Sequence, residues 1–127
     1  TVTERIPVAM LDMYQRRAEL AIEYNLHPIA IKVATEIIKY RPDRATGYQL
    51  RARAYFGNQE FNKALNDLMI CIRMQPHDAR LYYQRARIYR LIMQPEAAAE
   101  DMRRARELLP GVFEQVITEF SEKSIRK

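Results

Sequence analysis

The sequence RARAY at residues 51–55 recurs as RARIY at residues 85–89. Other residues keep the same 34-residue step through three copies. They are Tyr14, Tyr48 and Tyr82; Arg17, Arg51 and Arg85; Ala18, Ala52 and Ala86; Ala30, Ala64 and Ala98; and Pro42, Pro76 and Pro110. Self-similarity at a fixed period of about 20–50 residues indicates a repeat architecture. We therefore predict three tandem copies of one structural unit.

Each copy is predicted to be a pair of α-helices. Alanine recurs where two helices would cross closely, because its small side chain lets backbones approach and favours helix. Each closing proline ends a helix, since it lacks an N–H group and disfavours helix in the residue before it. Pro28 and Pro95 suit the first turn of a second helix, and Asp43 and Asp78 are candidate N-caps. The predicted helices lie at about 8–24, 28–40, 44–57, 61–74, 79–92 and 95–108.

A seventh helix is predicted at residues 112–126. Its apolar residues recur at helical spacing and are Val112, Phe113, Val116, Ile117 and Phe120. A helix in this place would cover the open apolar end of the last repeat. The same stripe could instead contact a partner protein or a further repeat.

The composition suits an all-helical chain that forms one domain over residues 1–127. Of its 127 residues, 48% are hydrophobic, 29% are charged and only 3 are glycine. The net charge of +5 permits an acidic partner without requiring a nucleic acid. The single cysteine, Cys71, excludes an internal disulfide and favours a reducing, cytoplasmic location. No apolar run approaches the length of about 18 residues that a membrane span needs.

The period and its residues resemble the tetratricopeptide repeat (TPR), a helix–turn–helix unit, over residues 11–110. The resemblance lies in the aromatic residue near the start of the first helix, the alanine four residues later, the alanine of the second helix and the closing proline. The sequence departs from the family at Ala21, where later copies have Tyr55 and Tyr89, and in having arginine where leucine is usual. The resemblance implies an all-α, right-handed superhelical α-solenoid of about seven helices. Its repeats would lie at about 11–44, 45–78 and 79–110.

The resemblance also implies a concave groove that is lined mainly by the first helix of each repeat. The positions carried over are Asp12, Gln15, Glu19 and Glu23 in the first repeat, Gln49, Arg53 and Phe56 in the second, and Arg80, Tyr83, Arg87 and Arg90 in the third. Such a groove would be acidic at its N-terminal end and basic at its C-terminal end. We predict that it binds a peptide or helix of a partner protein, with acidic residues facing Arg80, Arg87 and Arg90.

The arginines also have simpler interpretations. Arg87 and Arg90 could be solvated or could pair with Glu96 or Glu100, because exposed arginines commonly do so. The repeated position of Arg51 and Arg85 is apolar in the family, so we expect the stems of these two side chains to pack between helices.

A co-chaperone role of one familiar kind is disfavoured. Some TPR co-chaperones bind the C-terminal Glu-Glu-Val-Asp of heat-shock chaperones through a carboxylate clamp. The clamp positions here hold Gln15, Glu19, Leu50, Arg80 and Gln84, and only Arg80 is compatible. Among adaptors, we predict one that is co-chaperone-like but lacks the standard clamp.

No enzyme, cofactor or metal is predicted, because the sequence has no phosphate-binding glycine loop, no Gly-x-Ser-x-Gly and no zinc pattern. His27 and His77 lie in predicted turns without the spacing of metal ligands, and His27 is expected to help start a helix. Cys71 occupies a small-residue core position, which predicts a buried and inert thiol.

Two further functions remain as alternatives to the interaction module. The chain could be a structural subunit that docks in a larger assembly through its convex face and terminal helix, and self-association stays open. Nucleic-acid binding through Arg103, Arg104 and Arg106 is a weaker alternative, because these residues are not expected to share a face with the groove arginines.

Overall fold

The computed structural model describes residues 7–109, and these residues form six α-helices and no strand. The helices are α1 (Val8–Glu23), α2 (His27–Tyr40), α3 (Ala45–Gly57), α4 (Phe61–Met74), α5 (Ala79–Leu91) and α6 (Pro95–Leu108). Every predicted helix end agrees with these bounds to within one residue. The predicted seventh helix at residues 112–126 and the closing Pro110 lie outside the described residues.

The helices belong to two compact units, and the boundary along the chain falls between Pro76 and His77. The first unit contains α1 to α4, which are the first two helix pairs. The second unit contains the third pair, α5 and α6. Within each unit the two helices of a pair pack side by side, as the helix–turn–helix prediction requires.

The repeated alanines are all buried: Ala18, Ala30, Ala52, Ala64, Ala86 and Ala98. In the first unit Ala18 lies in a cluster with Val33, Ile37 and Leu50, which brings α1, α2 and α3 together. A second cluster joins Ala30 to the same three helices through smaller side chains. Alanine at the crossing points lets the helices approach closely without loss of helix propensity.

The turn inside each helix pair holds one residue with positive φ. These residues are Asn25 (φ 60°), Gln59 (φ 61°) and Met93 (φ 63°), and they keep the repeat step. In the first turn the N–H group of Leu26 donates to the carbonyl of Ala21 at 2.7 Å, which is a Schellman motif. Asparagine tolerates this left-handed conformation, whereas glutamine and methionine are poorly suited to it. The turn geometry is therefore a property of the repeat rather than of the residue that occupies it.

One of the two predicted N-caps is confirmed and the other is wrong. The carboxylate of Asp78 accepts a hydrogen bond from the backbone N–H of Arg80 at 3.0 Å, and so caps α5. The N-cap of α3 is Arg44, one residue beyond Asp43. The carboxylate of Asp43 instead pairs with Arg41 at 3.1 Å, and this contact lowers the pKa of Asp43. Pro28 and Pro95 lie in the first turns of α2 and α6, as predicted.

The predicted burial of Cys71 is confirmed, whereas the inertness of its thiol and a role of His27 in starting its helix stay predictions. His27 is the first residue of α2, and its imidazole occupies the space that a Cβ atom at Gly57 would need. Glycine at the end of α3 therefore makes room for the ring. Cys71 is fully buried, with its thiol 3.8 Å from the carbonyl oxygen of Ala45.

Candidate functional site

Four of the predicted groove residues lie together on α1. Asp12, Gln15, Glu19 and Glu23 line a surface depression of about 600 Å³, with Met13, Arg16 and Leu20 completing the lining. The three carboxylates recur at seven and four residues, which places them on one side of the helix. The side-chain amide of Gln15 donates to Glu19 at 3.3 Å. We call Asp12, Gln15, Glu19 and Glu23 the acidic face of α1.

The acidic face has a net negative charge, with three carboxylates beside the single cation Arg16 in the lining of its depression. Within residues 7–109, neither Asp12, Glu19 nor Glu23 forms an ion pair. Three negative charges on one exposed helix face repel one another and attract cations over roughly 10 Å at moderate salt. The face can therefore bind positively charged groups without first breaking an ion pair within residues 7–109.

A second depression extends the acidic face toward α3. It has a volume of about 220 Å³ and is lined by Val8, Leu11, Asp12, Gln15, Ile37, Arg41, Arg44 and Thr46. Thr46 begins the second repeat, and Asp12 and Gln15 belong to the acidic face. This depression thus joins two residues of the acidic face to the start of α3, although it includes none of the groove residues predicted for the second repeat.

The predicted residues of the second repeat have differing roles. The side-chain amide of Gln49 donates to the side-chain oxygen of Gln75 at 3.0 Å. Phe56 packs edge-on against Phe61, with ring centroids 5.8 Å apart, and therefore helps to hold α3 against α4. Arg53 is exposed on α3. Arg53 is the one charged residue of the three, and it is available to a partner from solvent.

The predicted residues of the third repeat lie on α5 in the second unit, and we call Arg80, Tyr83, Arg87 and Arg90 the arginine end. The three arginines are exposed and Tyr83 is half-buried. The guanidinium of Arg80 pairs with Asp78 at 3.1 Å and holds the pKa of that carboxyl below its usual value. Because this arginine is 79% exposed, the pair contributes little to stability and can exchange for another anion.

The structure extends the expectation that the stems of Arg51 and Arg85 pack between helices. Their guanidinium groups also form ion pairs inside the repeat. The Nε and Nη2 atoms of Arg51 each donate to Asp67 at 2.8 Å. The same guanidinium lies 5.8 Å from the ring centre of Tyr48 and 5.7 Å from that of Tyr55. Arg51 thus forms a bidentate ion pair inside a cation–π sandwich, and its pKa is raised by the hydrogen bonds to Asp67.

The third repeat builds the same arrangement. Arg85 donates to Asp101 at 2.7 and 2.8 Å, and its guanidinium lies between the rings of Tyr82 and Tyr89. The aspartates of both pairs are 2% exposed. They follow their arginines by 16 residues and are themselves one repeat step apart, so the sequence does contain a signal for them.

The first repeat lacks most of this arrangement. At the position of the aspartate the chain has Val33, and the position of the second tyrosine is taken by Ala21. Arg17 is exposed, lies 5.7 Å from the ring centre of Tyr14 and forms no ion pair within residues 7–109. The first repeat therefore keeps the arginine without its carboxylate.

Other charged groups that could have joined the candidate site are engaged elsewhere. Glu100 pairs with Arg103 and with Arg104 of its own helix, the second at 3.7 Å.

Within residues 7–109 no three histidine, cysteine or acidic side chains come close enough to hold a metal ion. None of the helices in that range has the length and apolar character to cross a membrane.

Solved structures of TPR domains resemble this chain, although no protein-family model matches it. The TPR domain of Arabidopsis OM64 has a TM-score of 0.75 and 23% identity, over 81% of this chain and 85% of that one. The first TPR domain of human RPAP3 has a TM-score of 0.75 and 18% identity, over 93% of this chain and 98% of that domain.

A longer structure shows the same likeness. MamA from Desulfovibrio magneticus RS-1, solved from residue 41 to its end, has a TM-score of 0.72 and 18% identity. The match covers 75% of this chain and 54% of that one. Helix pairs at a constant step, buried repeated alanines and these likenesses lead to one conclusion. The chain has the tetratricopeptide-repeat fold.

Proposed function

We propose that this protein is a non-catalytic interaction module that binds a peptide or helix of a partner protein along the first helices of its repeats. The observation that carries the proposal is the acidic face of α1. Four positions that the TPR resemblance assigns to partner binding line one depression, and their carboxylates have no internal counter-ion within residues 7–109. A surface whose charge is left uncompensated favours association with an oppositely charged segment.

The arginine end adds a second preference to the proposed partner. Arg80, Arg87 and Arg90 are exposed on α5, and guanidinium groups bind carboxylates in a planar, bidentate geometry. The two units thus offer opposite preferences: a basic segment of a partner suits the acidic face, and an acidic segment suits the arginine end.

Charge reversal on α1 tests the acidic half of this proposal. Glu19→Lys with Glu23→Lys should reduce capture of wild-type partners from a cell extract by about tenfold, since like charges then face each other. The matched control is Glu36→Lys with Glu96→Lys, which makes the same change in net charge on α2 and α6. Quantitative mass spectrometry compares the three proteins. Equal loss of partners in both double variants would contradict the proposal.

Charge reversal on α5 tests the basic half independently. Arg87→Glu with Arg90→Glu should remove the partners that depend on acidic segments, whereas Lys32→Glu with Lys39→Glu on α2 should retain them. Circular dichroism checks that each variant keeps its helices. Unchanged capture by the α5 variant would restrict the binding surface to the first unit.

The structural-subunit alternative depends on residues 112–126, which lie outside the described residues, and it stays a prediction. The same holds for self-association and for a reducing, cytoplasmic location. A truncated chain ending near Gly111 separates the alternative from our proposal. Loss of a large assembly with retained charge-dependent capture would favour the structural role.

A further inference from the structure

A second side of α1 adjoins the acidic face and exposes apolar side chains that residues 7–109 leave uncovered. Met13, Arg17 and Leu20 recur at four and three residues and so share one side of the helix. Met13 is 62% exposed and Leu20 is 45% exposed. We call these three residues the outer face of α1. Isolated exposed apolar side chains are common, so the argument depends on what the repeats do at the same positions.

The later repeats bury the positions that the outer face exposes. One repeat step after Met13 and Leu20 come Gly47 and Ala54, and both are buried. One step further come Leu81 and Ile88, each 2% exposed. This side of the helix is therefore buried in α3 and α5 but exposed in α1.

The first unit shows what covers this side of a first helix. A Cβ atom at Gly47 would lie 2.8 Å from the Cγ1 atom of Ile38, so α2 packs directly on that side of α3. At the same boundary the Nη1 atom of Arg51 lies 3.4 Å from the hydroxyl oxygen of Thr35, to which it donates. A helix that lay against α1 as α2 lies against α3 would cover Met13 and run beside Arg17.

The setting of Arg17 specifies the chemistry of such a helix. Its counterpart Arg51 is 21% exposed and is neutralised by Asp67, whereas Arg17 has Val33 in place of that aspartate. Covering an unpaired guanidinium with an apolar helix is unfavourable, because the charge loses water without gaining a counter-ion. A covering helix must therefore bring a carboxylate to the level of Arg17.

We infer that the outer face of α1 docks an amphipathic helix of a partner protein, with apolar residues over Met13 and Leu20 and a carboxylate paired to Arg17. This surface adjoins the proposed groove, because Met13 and Leu20 also line the depression of the acidic face, whereas Arg17 does not. Variants of Arg17 therefore test it separately from the groove. The occupant takes the place relative to α1 that α2 takes relative to α3.

A second copy of the chain is a poor occupant by the same geometry. Head-to-tail stacking would lay α6 of one copy on α1 of the next. The residues of α6 that correspond to Thr35 and Ile38, two repeat steps further on, are Arg103 and Arg106. These would place arginines, and no unpaired carboxylate, beside Arg17 and Met13, because Arg103 already pairs with Glu100 and Glu107. Like-charge contact at an interface is unfavourable, so a carboxylate-bearing partner fits better.

The test uses a peptide that reproduces the α2 arrangement. A fluorescein-labelled peptide of residues 27–41 carrying Thr35→Glu presents the apolar face of α2 and a carboxylate at the level of Arg17. Fluorescence anisotropy of this peptide with the full chain should show saturable binding. The unmodified peptide should bind about tenfold more weakly, because it leaves Arg17 without a counter-ion.

Charge exchange identifies the contact. Arg17→Glu in the full chain should weaken binding of the Thr35→Glu peptide by about tenfold, and a Thr35→Lys peptide should restore it. Arg73→Glu, an exposed change on α4 outside both proposed surfaces, is the control and should leave affinity unchanged. Leu20→Glu should abolish binding through loss of the apolar contact.

Three results would overturn the inference. The first is no saturable binding up to about 1 mM peptide, which corresponds to an affinity too weak to be specific. The second is equal affinity for the wild-type and Arg17→Glu chains. The third is self-association of the full chain in analytical ultracentrifugation that Leu20→Glu abolishes, which would assign the outer face to a second copy. Failure of the groove variants described above would leave these outcomes unaffected.

Discussion

In the second repeat Arg51 is enclosed by two tyrosine rings and a buried aspartate, whereas in the first repeat Arg17 lies exposed beside a single ring. The two residues occupy the same position of the repeat, so residue type alone does not set their role. Where the chain supplies a carboxylate, the arginine ties the second helix to the first. Where it does not, the arginine remains available to an external anion.

The difference between Arg51 and Arg17 also assigns them different roles within the first unit: Arg51 contributes to stability, and Arg17 is available for binding. Removing one member of a buried, hydrogen-bonded ion pair leaves an uncompensated charge, which costs far more than loss of an exposed charge. The second repeat should therefore lose stability when its arginine loses the aspartate, whereas the first repeat can change its arginine at little cost.

The largest expected effect comes from Asp67→Ala, which leaves Arg51 unpaired between its tyrosines. We expect the free energy of unfolding to fall by about 3 kcal/mol, the lower end for a buried pair, because the arginine is partly exposed. Urea denaturation followed by circular dichroism measures the change. Replacing both residues by leucine should cost less than the single change. A loss below about 1 kcal/mol would make this pair equivalent to a surface pair.

The next effect compares the same position in the two repeats. Gly47→Ala places a methyl group 2.8 Å from Ile38, and we expect a loss of about 1–2 kcal/mol despite the better helix propensity of alanine. Met13→Ala changes the equivalent residue of the first repeat, which is exposed, and should alter stability by less than about 0.5 kcal/mol. Equal losses in the two variants would show that α1 is covered in the isolated chain.

A smaller effect tests whether the first repeat can accept the missing carboxylate. Val33→Asp removes an apolar side chain from the cluster around Ala18, so the single variant should be destabilised. If Arg17 pairs with the new aspartate, Val33→Asp should lower the free energy of unfolding by about 1 kcal/mol more in an Arg17→Ala background than in the wild type. A double-mutant cycle of unfolding free energies measures this coupling. Zero coupling would show that Arg17 does not reach the aspartate introduced at position 33 of α2.

The smallest effect concerns the turns, where the first repeat has the better residue. Asn25 suits its positive φ, whereas Met93 adopts nearly the same angle with an unsuited side chain. Met93→Asn should raise the free energy of unfolding by about 0.5 kcal/mol, because asparagine tolerates the left-handed conformation. Thermal and urea denaturation check the gain. Asn25→Met, the converse change, should lose a similar amount.

Most of the fold was predictable because one period organises the whole chain. Repeated alanines and prolines mark helix crossings and helix ends, and these local properties act through short-range sterics. The prediction for Asp43 was wrong because an N-cap depends on a single residue of register, and α3 begins one residue later than the capping pattern requires.

The ion pairs of Arg51 and Arg85 were harder to predict. Asp67 and Asp101 stand at a regular spacing from these arginines, yet the first repeat has Val33 at the same place and breaks the pattern. Charged residues on helices usually face solvent, so sequence alone favours exposure. The pairing becomes evident only when the two helices of a repeat are placed side by side.

The amino-acid sequence by itself determined the helix pairs of residues 7–109, their bounds and the chemical types along each first helix, because periodicity and local propensity are properties of neighbouring residues. Tertiary structure alone decided which arginines are neutralised, which glycine accommodates a neighbouring helix and which apolar side of α1 residues 7–109 leave uncovered. Those outcomes depend on how separate helices pack, and burial makes the interaction energy of the same charge much larger than it is at the surface.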